Sequence, residues 1–390
     1  MGGNVVPRRK QIEEIKVKKK EIVKLDKKKI SILGIILLLF IFVICLKNYK
    51  ELGLVINRKI TDKSVNTVEL ASKNNSIYSY KNEVLVYSMG NLATYDRYGK
   101  NTWTESLSTV ADATVNVSGK YIQVVNKDKG IIYVYKNKYE TARIKIEGTI
   151  KSAEINENGY TVVEYTITGA KTVLGIYDKS GKVKYNVKLG QEVVGKYALS
   201  NNARYLAYVD INLNGISVSI SVNVIDLKNS SEDNFKTYEV FSKDNELVYE
   251  MSIDSNTLIC RTDNSIVKYK LSNSKLEEYK ITENNLVYID LYKRKYSFIK
   301  TIEDGTYVFG IDTLTKNDEK TIKLEEVPKY FERVNNITYI GYQKKIEIYN
   351  DFKVKIKEYD SDMVITKPVV FNNGTSVAML LSNKLLIFTI

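Results

Sequence analysis

From residue 64 onward the chain alternates apolar and polar positions with a period of two. Glu83-Val84-Leu85-Val86-Tyr87, Lys120-Tyr121-Ile122-Gln123-Val124-Val125 and Ser217-Val218-Ser219-Ile220-Ser221-Val222 are examples. Val, Ile, Tyr and Thr dominate these runs, as half-buried strands prefer. Asn, Asp, Gly and Ser separate them, and no stretch after residue 60 sustains a helical period. The pattern predicts an all-β region over residues 64–390.

A repeat organises the strands. Leu92-Ala93-Thr94-Tyr95-Asp96-Arg97-Tyr98-Gly99-Lys100 is echoed by Leu174-Gly175-Ile176-Tyr177-Asp178-Lys179-Ser180-Gly181-Lys182. In each copy a strand ends at Tyr-Asp, turns through Gly-Lys and runs back as a second strand. Asp satisfies the turn backbone, and Gly takes the positive φ. Weaker copies start at Ile132, Val222, Ile266, Val308 and Ile346, so that successive copies lie 38 to 48 residues apart. A turn followed by an apolar strand precedes the copies by about two strands, as at Gly119, Gly159, Asn202 and Asn373. Four strands per period of this length predict a β-propeller, because one twisted blade cannot bury both of its faces alone. The last unit ends early. Lys384–Ile390 can supply its third strand, and Val65–Leu70 the fourth. That shared blade makes eight blades and removes exposed sheet edges; seven is the alternative without it.

Residues 30–46 break the pattern. Fourteen of these seventeen are Ile, Leu, Phe or Val, the others being Ser31, Gly34 and Cys45. In a bilayer the run is worth roughly −4 to −8 kcal/mol. As a helix it spans about 25 Å, slightly short of a ~30 Å hydrocarbon core, with Lys29 and Lys47 placed to snorkel. The expectation is one membrane-spanning helix. A division follows: a basic tail over 1–29, the span over 30–46, a stalk over 47–63 and the propeller over 64–390.

Charge gives the orientation. The first 50 residues hold thirteen Lys or Arg against four Asp or Glu, and eleven of those cations precede the run. The positive-inside bias puts the tail in the cytoplasm and the propeller outside. It also accounts for the basic segment without a nucleic-acid partner. No small-x-small site follows the run, Ile44 stands before Cys45 where a lipoprotein signal has a small residue, and Val6 breaks a myristoylation motif at Gly2. The chain reads as an uncleaved signal anchor. Its two cysteines, Cys45 and Cys260, form no intradomain disulfide, so the exported domain folds on core burial alone. Abundant Lys, Ile, Asn and Tyr, encoded by A/T-rich codons, point to a low-GC bacterium, and the Asn116, Asn229, Asn336 and Asn373 sequons then reflect composition.

The Tyr-Asp-x-x-Gly-Lys turns at Tyr95 and Tyr177 resemble those of quinoprotein-like and WD-repeat-like propellers. The layout of basic tail, single helix and divergent propeller is similar to uncharacterised families of exported proteins in low-GC Gram-positive bacteria. The resemblance covers residues 64–390 and implies architecture only. Trp-Asp marks and tryptophan docking are missing, and Trp103 is the sole Trp. No cofactor site carries over.

The chain contains no His. That removes Ser-His-Asp and Cys-His catalysis and His-containing metal sites. Cys260 lies in a predicted strand and reads as structural. Asp210-Ile211-Asn212-Leu213-Asn214-Gly215 resembles the start of a calcium loop, but Ser221 stands where the bidentate Glu belongs, and Asn214-Gly215 is a hairpin turn in its own right. The thirty tyrosines and Trp103 read as strand and blade packing rather than sugar platforms. No catalytic, cofactor-binding or metal residue is assigned, and no cofactor is expected. The reading is a membrane-anchored, non-enzymatic binding or scaffolding module for an envelope protein or wall polymer. It would use the loops of one face and the central funnel. The alternatives are a wall-glycan enzyme with paired carboxylates, which an acidic pair in the funnel would favour, and a transmembrane signal relay. A broad apolar face would favour a protein partner.

Overall fold

A computed structural model describes residues 58–60, 64–107, 113–190, 193–213, 217–230, 235–254, 256–281, 285–292, 295–314 and 320–390. The predicted basic tail and membrane helix, and most of the predicted stalk, lie outside these residues. Among the described residues no helix is long and apolar enough to cross a membrane.

Eight four-stranded antiparallel meanders form the blades. Blades 1 to 7 span residues 76–106, 114–145, 149–188, 194–244, 248–280, 286–323 and 330–360. Blade 8 takes three strands from residues 367–389 and its outer strand from Val65–Glu69. That outer strand pairs antiparallel with Lys384–Thr389, Val65 facing Phe388 and Glu69 facing Lys384. The unfinished last unit is thus closed by the N-terminal strand, and the blade number is eight. Arg58–Lys59 adds a short parallel strand to the outer edge of blade 7, opposite Lys357 and Glu358. This part of the predicted stalk therefore belongs to the propeller's rim.

All seven copies of the Tyr-Asp repeat are third strands of their blades, and the eighth third strand is Lys384–Thr389. In the two strongest copies, in blades 1 and 3, the turn that follows repeats one chemistry. Asp96 Oδ1 accepts the N–H groups of Tyr98 and Lys100 at 2.9 and 3.0 Å, and Asp178 Oδ1 those of Ser180 and Lys182 at 2.9 and 3.1 Å. Gly99 takes φ +79°, and a Cβ there would meet Val68 Cγ2 at 3.0 Å, so the closing strand packs directly on this turn. The apolar signals at Gly119, Gly159, Asn202 and Asn373 open second strands. They stand one strand ahead of the repeat rather than two, because the turn itself ends the first strand.

The core is divided by seam. Each of the eight junctions between neighbouring blades holds its own cluster of buried apolar side chains. Ile77, Val84 and Val86 of blade 1 meet Val369, Ala378 and Leu385 of blade 8, for example. Strand alternation aims successive side chains at opposite neighbours, so each blade feeds two seams.

Candidate functional site

The first strand of every blade lines the central axis, and the chemistry gathered there comes from residues far apart in sequence. Asp290, Glu332 and Lys367 stand on the first strands of blades 6, 7 and 8. Burial and the neighbouring Asp290 charge push the Glu332 carboxyl up to about 7, against the pull of the Val370 backbone and Lys367. Asp290 Oδ2 accepts the Arg333 backbone N–H at 2.7 Å. Burial lowers the Lys367 ammonium, Glu332 opposes it, and its Nζ lies 4.8 Å from the Tyr78 ring centre of blade 1. Across the axis, burial raises Glu154 of blade 3, and Lys196 of blade 4 works against it.

A cavity of about 320 Å³ opens at one end of the axis, among the ends of the first strands of blades 2 to 5. Glu154, Glu157 and Asp254 give it carboxylates, Asn156 and Asn201 amides, and Ile155, Leu199 and Ile253 an apolar wall. Asp290 and Glu332 do not line it. It lies at the end bearing the turns between first and second strands, some of which are bonded to the next blade's turn: Asn156 Nδ2 donates to Ser200 O at 2.9 Å, and Asn372 N to Lys81 O at 3.1 Å. The cavity offers hydrogen-bond acceptors and negative charge. The Asp290–Glu332 pair places a carboxyl that holds its proton near neutrality beside a second carboxylate.

The two faces differ. Turns between second and third strands and loops between blades share one face. Most of the exposed large apolar side chains stand there, including Leu213, Val218, Leu247, Tyr249, Ile302 and Val327. The opposite face carries the first-to-second and third-to-fourth turns, which are richer in Lys and Arg.

The residues singled out by sequence fall away from the axis. Cys260 is fully buried in the second strand of blade 5, and burial pushes its thiol up to about 12. Trp103, on the outer strand of blade 1, stacks edge-on against Tyr135 with ring centres 5.7 Å apart. Tyr80, Tyr135, Tyr339 and Tyr342 are among the largest fully buried side chains. Asp210 and Asn212 are strand residues paired with Ser221 and Ser219; Asn214 and Gly215 lie outside the described residues. Among the described residues, no group of three or more His, Cys, Asp or Glu side chains is placed to hold a metal ion.

Two buried networks carry no sequence motif. Arg333 Nη1 donates to Ser297 Oγ at 2.6 Å, and its Nη2 pairs with Asp351, which also holds Lys295 Nζ at 2.6 Å. Glu347 accepts Tyr342 OH at 2.7 Å and Tyr349 OH at 2.9 Å, with Lys345 and Lys355 at 3.2 and 3.1 Å. The available signal was a charged residue inside an otherwise apolar strand, as in Tyr330-Phe331-Glu332-Arg333-Val334.

The model of a family of unknown function (DUF5711) matches residues 56–385. No curated protein matches the chain significantly. Among solved structures, the chain resembles BamB from Moraxella catarrhalis, at 10% identity and TM-score 0.50, over 86% of this chain and 100% of that one. It resembles the Dos1 propeller at 10% identity and TM-score 0.56, over 83% and 94% of the two chains. The tricorn protease is similar at 12% identity and TM-score 0.50, over 75% of this chain and 34% of its own. At these identities the likeness is one of fold.

Proposed function

The chain belongs to the family of unknown function (DUF5711), and from that membership and its fold we propose that it is a non-enzymatic binding module. A single membrane helix over residues 30–46 anchors it, with the tail cytoplasmic and the propeller outside. It engages an envelope protein through the face formed by the second-to-third turns and the interblade loops. The observation that carries this reading is the gathering of Leu213, Val218, Leu247, Tyr249, Ile302 and Val327 on that face. Scattered exposed apolar residues need no explanation, but a shared face of them on consecutive blades is what a protein partner buries.

The test places a photo-crosslinking residue at Leu247 or Val327 of the full chain in cells, with Val183 on the opposite face as control. The proposal expects a discrete protein adduct from the first two positions only, diminished by Ile302→Glu. No adduct, or equal adducts from Val183, would overturn it, and attachment to glycan would replace the protein partner by a wall polymer.

A second reading, glycan chemistry by paired carboxylates, draws on the Asp290–Glu332 pair. It is the weaker because that pair stands away from the cavity and Asp290 already accepts a backbone N–H.

A further inference from the structure

The point where the N-terminal segment joins the propeller is bracketed by aromatic residues on a basic rim. Val65 opens the outer strand of blade 8 at the face carrying the third-to-fourth turns, because it pairs with Phe388 at the end of that blade's third strand. Asn66 Nδ2 donates to Arg97 O at 3.0 Å, so this entry strand touches the blade 1 turn that holds Tyr98. On the other side, Arg58–Lys59 runs parallel to Lys355–Asp360, so Arg58 stands on the side of the blade 7 turn that holds Phe352. Blade 8 has no third-to-fourth turn of its own, since its fourth strand is the N-terminal one. The N-terminal segment enters in its place.

The exposed aromatic residues follow this entry. Tyr98 is 65% exposed, Tyr139 77% and Phe352 55%, all in or beside third-to-fourth turns of blades 1, 2 and 7. Blades 7, 8, 1 and 2 are consecutive, so the three rings form an arc around the entry strand. Exposed cations share that arc: Lys81, Arg97, Lys100 and Lys120. Nearby carboxylates are engaged, Asp96 by its turn N–H groups and Glu83 by Lys138 at 2.6 Å. Glu157 borders the Gly119–Lys120 turn at the edge of this arc and accepts Asn201 Nδ2 at 3.4 Å, while the cavity carboxylate Asp254 belongs to the other arc of the same face. Aromatic rings among basic side chains, beside a tethered apolar segment, have the chemistry of a surface that meets anionic lipid headgroups.

We propose that the rim of blades 7, 8, 1 and 2, through Tyr98, Tyr139, Phe352, Lys81, Lys100 and Lys120, docks on an anionic bilayer surface. The propeller then lies tilted on the membrane, with its apolar face turned away. This inference rests on the reading of residues 30–46 as a membrane span. Each basic residue held near an anionic surface changes the docking equilibrium constant about fivefold, equivalent to ~1 kcal/mol. Because the span keeps the propeller at the bilayer, docking is an intramolecular step.

The full chain carrying Cys45→Ser is reconstituted in phosphatidylcholine vesicles with or without about a third phosphatidylglycerol. It bears one bimane label at Tyr98→Cys, Tyr139→Cys or Leu213→Cys, and lipid-borne nitroxides report contact. The proposal expects quenching at positions 98 and 139 but not at 213, in anionic vesicles only. It should be lost at ~0.5 M salt and cut more than about tenfold by Lys81→Glu/Lys100→Glu/Lys120→Glu. Equal quenching at 98 and 213, no quenching, or quenching indifferent to phosphatidylglycerol would overturn it. Protection of the labels by soluble polyglycerol phosphate but not by the bilayer would also overturn it, in favour of a wall polymer. Extraction of the chain from the vesicles at alkaline pH would instead show that the span itself is wrong, which separates the two failures.

Discussion

Replacing Asp351 should destabilise the propeller far more than replacing the lysine that shares it. The Arg333 side chain is fully buried, and Asp351 supplies the carboxylate that neutralises it between blades 6 and 7. Asp351→Ala leaves the guanidinium, among the described residues, with the Ser297 and Thr338 hydroxyls at 2.6 and 3.4 Å. Orphaning a buried charge in this way costs about 3–5 kcal/mol. Lys295 is 44% exposed, so Lys295→Ala removes a solvated partner and costs about 0–1 kcal/mol. A domain of ~330 residues has an unfolding entropy that converts 1 kcal/mol into about 1.5 °C. The expected losses in Tm are then about 4–7 °C for Asp351→Ala and below about 2 °C for Lys295→Ala. Near-UV circular dichroism of the full chain in detergent reads both. Arg333→Met combined with Asp351→Leu should recover most of the loss, because an apolar pair leaves no charge behind. An Asp351→Ala shift no larger than that of Lys295→Ala would refute the reasoning.

Other consequences follow from single features. The Glu332 carboxyl is raised to about 7, so the folded state binds its proton more tightly than the unfolded chain does. That contribution is fully present below the ordinary carboxylate range and is lost as pH rises through 7; Glu332→Gln should flatten a urea-midpoint profile between pH 5 and 8, and an unchanged slope would count against it. With Cys45→Ser in place, Cys260 should resist aromatic disulfide reagents until urea unfolds the domain, because it is fully buried and its thiol is pushed up to about 12. Deleting residues 64–70 should leave Lys384–Thr389 as a bare sheet edge and cause aggregation on size-exclusion chromatography; a monodisperse product of unchanged Tm would exclude closure by that strand.

The architecture was legible because it is written locally. In blades 1 and 3 an Asp that caps its own turn and a Gly at positive φ mark the end of the third strand whatever lies beside it, and apolar runs at the same spacing located the other five blades. The eighth could be counted because a sheet edge must be closed and only the N-terminal strand was left over. The axis was not legible. Asp290, Glu332 and Lys367 meet because blades 6, 7 and 8 are neighbours around a ring, and nothing in a strand's own alternation says which charge the next blade will present. The Arg333–Asp351–Lys295 group has the same origin, joining a first strand, a turn and another blade's second strand. The apolar face escaped notice because single exposed residues in separate turns have no period.

The central claim, a propeller carried outside the cytoplasmic membrane by one N-terminal span, is tested most directly by protease on intact protoplasts that express the full chain. The account predicts that external protease degrades the region after Lys47 and leaves an epitope within residues 1–29 protected until the membrane is permeabilised. Protection of the propeller, or loss of the tail epitope in intact protoplasts, would contradict it.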